Sequence, residues 1–160
     1  MRRAFLAVTL LAAPLAAQDH AAHMAAASWT AAHDSVMLPI KQLFDGMRAH
    51  DSAQVRASFA PGAVLMAPLP RTGLPPSVKF DGVDGFVAAV GRPGQPWDEQ
   101  IYDPIVQIDG GLATAWVFYT FHLGDTFSHC GVDAIQLVRT AEGWKISALA
   151  DTRRSTDCET

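Results

Sequence analysis

The stretch from Trp97 to Arg153 restricts the fold most. It divides into runs in which apolar and polar residues alternate: Asp98–Ile108, Leu112–His122, Ser128–Arg139 and Trp144–Arg153. The breaks between them are Asp109-Gly110, Gly124-Asp125 and Ala141-Glu142-Gly143. Connections this short join antiparallel neighbours, because a parallel pair needs a crossover of about a dozen residues or more. The pattern therefore predicts an antiparallel meander in which residues two apart share a face.

The residues before the meander read mostly as helix. Val36, Ile40, Leu43, Phe44 and Met47 recur at helical spacing, which predicts a first helix over Ala32–His50. Asp34 or Ser35 can cap it, and Pro39 is expected near its start, where proline is tolerated. Asp51 can cap a shorter helix through Phe59, ended by Pro61-Gly62. A short strand is expected at Ala63–Ala67, a proline-rich loop at Pro68–Pro76, a brief strand at Val78–Phe80 and a third helix at Asp81–Val90. Helices first and an antiparallel sheet last make an α+β domain, here residues 32–160.

The N-terminus, MRRAFLAVTLLAAPLAAQ, has two arginines, an apolar run from Ala4 to Ala13 and small residues around Ala16 and Ala17. This is the layout of a secretory signal peptide, assigned to residues 1–17. The apolar run is short for a membrane span, which needs about twenty residues. Arg-Arg-x-Phe-Leu resembles a twin-arginine signal, although the very short n-region favours general secretion. The expected location is outside the cytoplasm, periplasmic or secreted, with no membrane attachment after cleavage. Residues 18–31 are alanine-rich without an amphipathic period and are read as a flexible lead-in. His20 and His23 within them lack the further ligands a metal site needs.

The formal net charge is −4 and becomes more negative when Arg2 and Arg3 are removed. No Lys/Arg cluster is present, which argues against nucleic acid as a partner. No metal-ligand quartet, phosphate loop or nucleophile elbow occurs, so neither a metal nor a cofactor is expected. In an exported chain the two cysteines, Cys130 and Cys158, are expected to pair as a disulfide.

Three segments carry a resemblance to a known superfamily. They are the helix-to-strand passage VRASFAPGAVLMAP (55–68), the helix-bearing FDGVDGFVAAV (80–90) and the closing hairpin IQLVRTAEGWKISALADT (135–152). With the order of elements they resemble the NTF2-like superfamily, the curved-sheet cone that includes ketosteroid isomerase and polyketide-cyclase-like proteins. The run from Ser128 to Cys158 is similar to small exported members described as lumazine-binding-like. The resemblance implies a pocket between the concave sheet face and the helices, and a possible homodimer through the outer face. In ketosteroid isomerase one Asp is the base and a second, kept protonated, is an oxyanion donor. The position matching the base is Ala67, so that mechanism is not expected.

Strand alternation sorts the remaining candidates. His129, Asp133, Ile135 and Leu137 share one face of their strand, and Cys130 takes the other. Counting back from the turns puts Trp116, Phe118, Trp144 and Ile146 with His129 and Asp133, on a face read as lining the pocket. Ala148 and Ala150 fall on that face too, while Leu149, Asp151 and Arg153 fall on the opposite one. His129 and Asp133 are candidates for acid–base work, with a structural polar pair as the alternative. Trp116, Phe118 and Ile135 are candidate ligand contacts. Asp151 and Arg153 are a candidate clamp for a ligand or a structural ion pair. Cys130 points away from His129 and is not expected to be a nucleophile. The same counting sets Cys130 beside Arg153, five residues from Cys158. A disulfide there would restrain the tail by about 3–4 kcal/mol on loop entropy. The leading functional expectation is a binding or accessory domain for a small apolar or aromatic ligand. The alternatives are a lyase or isomerase using His129 and Asp133, and a structural dimerisation module.

Overall fold

The computed structural model describes residues 15–69, 73 and 75–158, without the side chains of 15–23 and 25. The signal-peptide reading rests mainly on residues 1–14, which lie outside the described residues. The chain forms two compact units, one ending at Ala32 and the other beginning at His33.

Helix α1 is Leu15–Arg48 and α2 is Ser52–Ser58. Strand β1 is Phe59–Leu69, β2 is Ser77–Gly82, and α3 is Val83–Val90. The meander follows as β3 (Trp97–Asp109), β4 (Leu112–Leu123), β5 (Thr126–Thr140) and β6 (Gly143–Asp151). Helix α1 starts well before the expected Ala32. The alanines of the presumed lead-in have the highest helix propensity, so they can be helical without an amphipathic face. Pro39 consequently lies inside the helix. Among the described residues no helix is long and apolar enough to cross a membrane.

The six strands form one curved, open sheet in the order β2-β1-β6-β5-β4-β3. All neighbours are antiparallel except β1 and β6, which run parallel. Val36, Ile40, Leu43, Phe44 and Met47 of α1 are all buried, in one core with Val55, Val117, Leu137 and Ile146. Burying each such side chain is worth about 1.5–3 kcal/mol. Asp51 caps α2 as expected, its carboxylate accepting from the Gln54 amide at 2.9 Å.

Two one-residue bulges set the facing of β4 against β5 and of β5 against β6. Phe121 pairs with His129 and His122 with Phe127, which leaves Ser128 unpaired. Leu137 pairs with Ile146 and Gln136 with Ala148, which leaves Ser147 unpaired. One extra residue reverses the facing of everything beyond it. The first bulge pairs Asp133 with Val117 rather than Trp116, so Trp116 and Phe118 turn to the outer face, correcting the turn-based count. The second turns Ala148 and Ala150 outward and Leu149 and Asp151 inward, again opposite to that count. It also places Cys130 opposite Arg154 rather than Arg153, with the two backbones exchanging hydrogen bonds of 2.9 Å each way.

Cys130 and Cys158 form a disulfide across a separation of 28 residues. The tail after β6 is thereby fixed to β5. Serine at Cys158 should lower stability by about 2–4 kcal/mol. Hydrogen exchange should speed up at the amides of Thr152 and Arg154 while the α1 amides stay protected. Equal protection in variant and parent would show that the disulfide does not hold the tail.

Candidate functional site

A cavity of about 980 Å³ lies between the concave sheet face and the helices. Leu43, Phe44 and Met47 of α1 and Phe86 of α3 supply apolar wall, and β1 adds Leu65 and Ala67. The inward-facing side chains of β3 to β6 supply the polar end: Glu99, Tyr119, His129, Asp133 and Asp151, with Arg153 from the tail.

Asp133 is the deepest of these, 1 % exposed at the centre of β5. Among the described residues no N–H or hydroxyl reaches its Oδ2. Its neighbour is a second carboxyl, Glu99 of β3, which approaches it across β4 closely enough that each carboxyl shifts the other's ionisation as a hydrogen-bond partner would. Two carboxylates cannot make such a bond without a proton between them. Burial pushes the Asp133 carboxyl up to about 7, the nearby Asp151 charge adds to this, and the Glu99 bond and Arg153 oppose it. Glu99 is raised well above its ordinary range, first by burial and then by the Asp133 charge and hydrogen bond. The pair therefore holds a proton near neutral pH.

The flanking groups are mutually satisfied. Arg153 Nε donates to Asp151 Oδ2 at 2.5 Å. For Arg153 partial burial disfavours the charge, and the Asp151 bond and charge outweigh it. His129 sits against the Phe121 ring, centroids 4.9 Å apart, and edge-on to Tyr119 at 5.7 Å. Its Nδ1 is 3.0 Å from Ser128 Oγ. Burial, then Arg153, lowers its pKa, which favours the neutral imidazole. The Tyr119 hydroxyl donates to the Thr152 carbonyl at 2.8 Å, and burial followed by the Glu99 and Asp133 charges keeps the phenol protonated.

Gly131 makes this arrangement possible. A Cβ on it would lie 1.8 Å from the Thr152 carbonyl oxygen and 2.8 Å from the carbonyl carbon. Only a residue without a side chain leaves room for the Thr152 carbonyl where the tail runs antiparallel beside β5. That close approach lets the tail carry Arg153 to the cavity and gives Tyr119 its acceptor.

Of the residues expected from sequence, His129, Asp133, Asp151 and Arg153 line the cavity. His129 and Asp133 share a face but form no hydrogen bond, and Gly131 separates them along β5. Ile135 is fully buried in the core beneath the helices. Trp116 and Phe118 are on the outer face, 49 % and 36 % exposed. Trp116 lines a separate outer groove of about 580 Å³ with Ile105 and Gln136. Cys130 and Cys158 are bonded and offer no thiol. Ala67, the residue that the sequence resemblance matches to the ketosteroid isomerase base, lines the cavity and has only a methyl side chain. Among the described residues no group of three or more His, Cys, Asp or Glu could hold a metal ion. Glu99 and Tyr119 were not anticipated. The available signal was an acid between Trp97 and Ile101, on the apolar parity of its strand.

The raised Asp133 carboxyl has a consequence for stability. Between about pH 4, where the unfolded group ionises, and about pH 7, the folded chain binds more protons than the unfolded one. Folding stability contributed by this group is full below that window and falls as pH rises through it. Asp133→Asn should therefore gain stability relative to the parent as pH rises from about 4 to about 7. Urea midpoints across that range measure it, and a constant difference would mean Asp133 ionises freely.

No protein-family model matches the chain, and no curated protein matches it. Solved structures do. An NTF2-like protein of unknown function from Shewanella baltica aligns at a TM-score of 0.65 and 12% identity, covering 80% of this chain and 98% of its own. A proposed dehydratase from the NTF2-like family of Streptomyces avermitilis aligns at 0.57 and 15% identity, covering 77% and 96%. A proposed aromatic ring hydroxylase from Novosphingobium aromaticivorans aligns at 0.56 and 18% identity, covering 74% and 86%. The helices, the six-stranded open sheet and these alignments agree that the chain has the NTF2-like fold.

Proposed function

We propose that this chain is an exported protein that binds a small, largely apolar molecule in its cavity. The observation that carries the reading is the cavity itself: about 980 Å³, walled by apolar and aromatic side chains, with polar groups gathered at one end. Small-molecule sites have this composition and size. Export is supported by the leader-like N-terminus and by the disulfide, which persists in oxidising compartments. A homodimer would use the outer face, where Ile105, Trp116 and Phe118 are exposed.

A neutral naphthalene dye, N-phenyl-1-naphthylamine, tests the binding reading. Its fluorescence should rise to saturation with the mature protein at one dye per chain. Ala67→Trp puts an indole into the cavity and should weaken binding about tenfold or more while leaving the circular dichroism spectrum unchanged. Equal binding by the two proteins would place the dye elsewhere and remove the support for a cavity site.

A second reading is favoured by the Glu99–Asp133 pair. A carboxyl near 7 can both give and take a proton at neutral pH, as general acid–base catalysis requires. A lyase or isomerase would use Asp133 for proton transfer, with Glu99 sharing the proton and neutral His129 alongside. One structural neighbour is a proposed dehydratase. Such a site should catalyse deuterium incorporation next to the carbonyl of a bound cyclic ketone in D2O, followed by NMR. Asp133→Asn should slow the exchange about a hundredfold. Bound ketones that exchange only at the buffer rate would leave binding as the function.

A further inference from the structure

Among the described residues, the charged groups around the cavity pair off with one exception. Arg153 of the tail takes Asp151 of β6. Lys79 and Asp81 of β2 take each other at 2.7 Å. His129 of β5 is favoured neutral and Tyr119 of β4 keeps its phenol proton. The wall from α1 and α3, namely Leu43, Phe44, Met47, Gly85 and Phe86, carries nothing that titrates. Glu99 and Asp133 remain, two carboxyls facing each other with no cation of their own. Asp133 is 1 % exposed, lines the cavity, and has an Oδ2 that no N–H or hydroxyl among the described residues satisfies.

An arc of rings leads to this pair. Phe59, Phe86, Trp97, Phe121, His129 and Tyr119 follow one another in contact, with centroid separations between 4.9 and 6.4 Å. All six line the cavity. The faces of the carbocyclic and indole rings carry partial negative charge and attract cations. A cation is thus favoured both by the wall and by the acceptor-only end. An anion there would add a negative group beside three carboxyls, and the one guanidinium among the described lining residues, Arg153, is already engaged by Asp151.

We propose that the end of the cavity at Glu99 and Asp133 is a cation site, taking the protonated amine of a ligand whose apolar body lies along the aromatic arc. The assignment rests on the cavity being a ligand site. The ammonium donates to both carboxyls, and the proton they shared departs to solvent. One cation enters, one proton leaves, and the pair ends as two carboxylates bridged by N–H donors. Binding therefore strengthens as pH rises, as long as the amine itself stays protonated.

Three probes of one shape separate the possibilities: 2-naphthylmethylamine, 2-naphthalenemethanol and 2-naphthoate. Calorimetry at about pH 8, in buffers of differing ionisation heat, should give the amine an affinity about tenfold or more above the alcohol, with close to one proton released. At about pH 5.5 the advantage should shrink to about threefold, because the pair holds its protons. Asp133→Asn and Glu99→Gln, both near-isosteric, should each remove the advantage at pH 8 without weakening the alcohol. Equal affinity for amine and alcohol at both pH values would overturn the cation site while leaving the cavity reading intact. Tightest binding by naphthoate would overturn it in favour of anion capture by Arg153. If none of the three binds, the cavity reading fails together with it.

Discussion

Strand β5 is the constraint on which the rest depends. It pairs with β4 on one side and β6 on the other, and its inward residues run from His129 through Gly131 and Asp133 to Ile135 and Leu137. The lower half of that row closes the core against α1. The upper half faces the cavity. Desolvation is tolerable for Ile135 and Leu137 and costly for Asp133, so the strand passes within a few residues from apolar packing to a carboxyl that must keep a proton or find a cation. The chemistry of the site follows from that placement.

The neighbouring strands complete what β5 begins. β3 contributes Glu99, β4 contributes Tyr119 and Phe121, β6 contributes Asp151, and the tail contributes Arg153. None of these is near Asp133 in sequence except through pairing. The disulfide and the backbone bonds between Cys130 and Arg154 hold the tail where a free C-terminus would fray. The site is therefore a property of the sheet's register rather than of any local motif.

That dependence explains what the sequence revealed and what it hid. The helical face of Val36, Ile40, Leu43, Phe44 and Met47, the Asp51 cap and the turns of the meander were legible, because each is written in residues close together in the chain. The Cys130–Cys158 pair was legible from an even cysteine count in a chain with a leader-like N-terminus. The facing of Trp116, Phe118 and Asp151 was not. Each depends on a bulge at Ser128 or Ser147, and a serine in a strand does not announce that it will be skipped. Glu99 was overlooked for a related reason. Its acidity stands out only once Trp97 and Ile101 are known to face inward and its partner is known to lie two strands away.

Gly131 has no side chain to offer a ligand, yet its backbone is the ground on which the tail rests. Substitution there meets the Thr152 carbonyl directly, whereas cavity residues such as Leu65 or Phe86 have open space before them. In a map of mutational tolerance this glycine would stand among the least replaceable positions and be mistaken for a binding residue. Its intolerance would report the close approach of the tail's main chain to β5, and only through that approach the placement of Arg153.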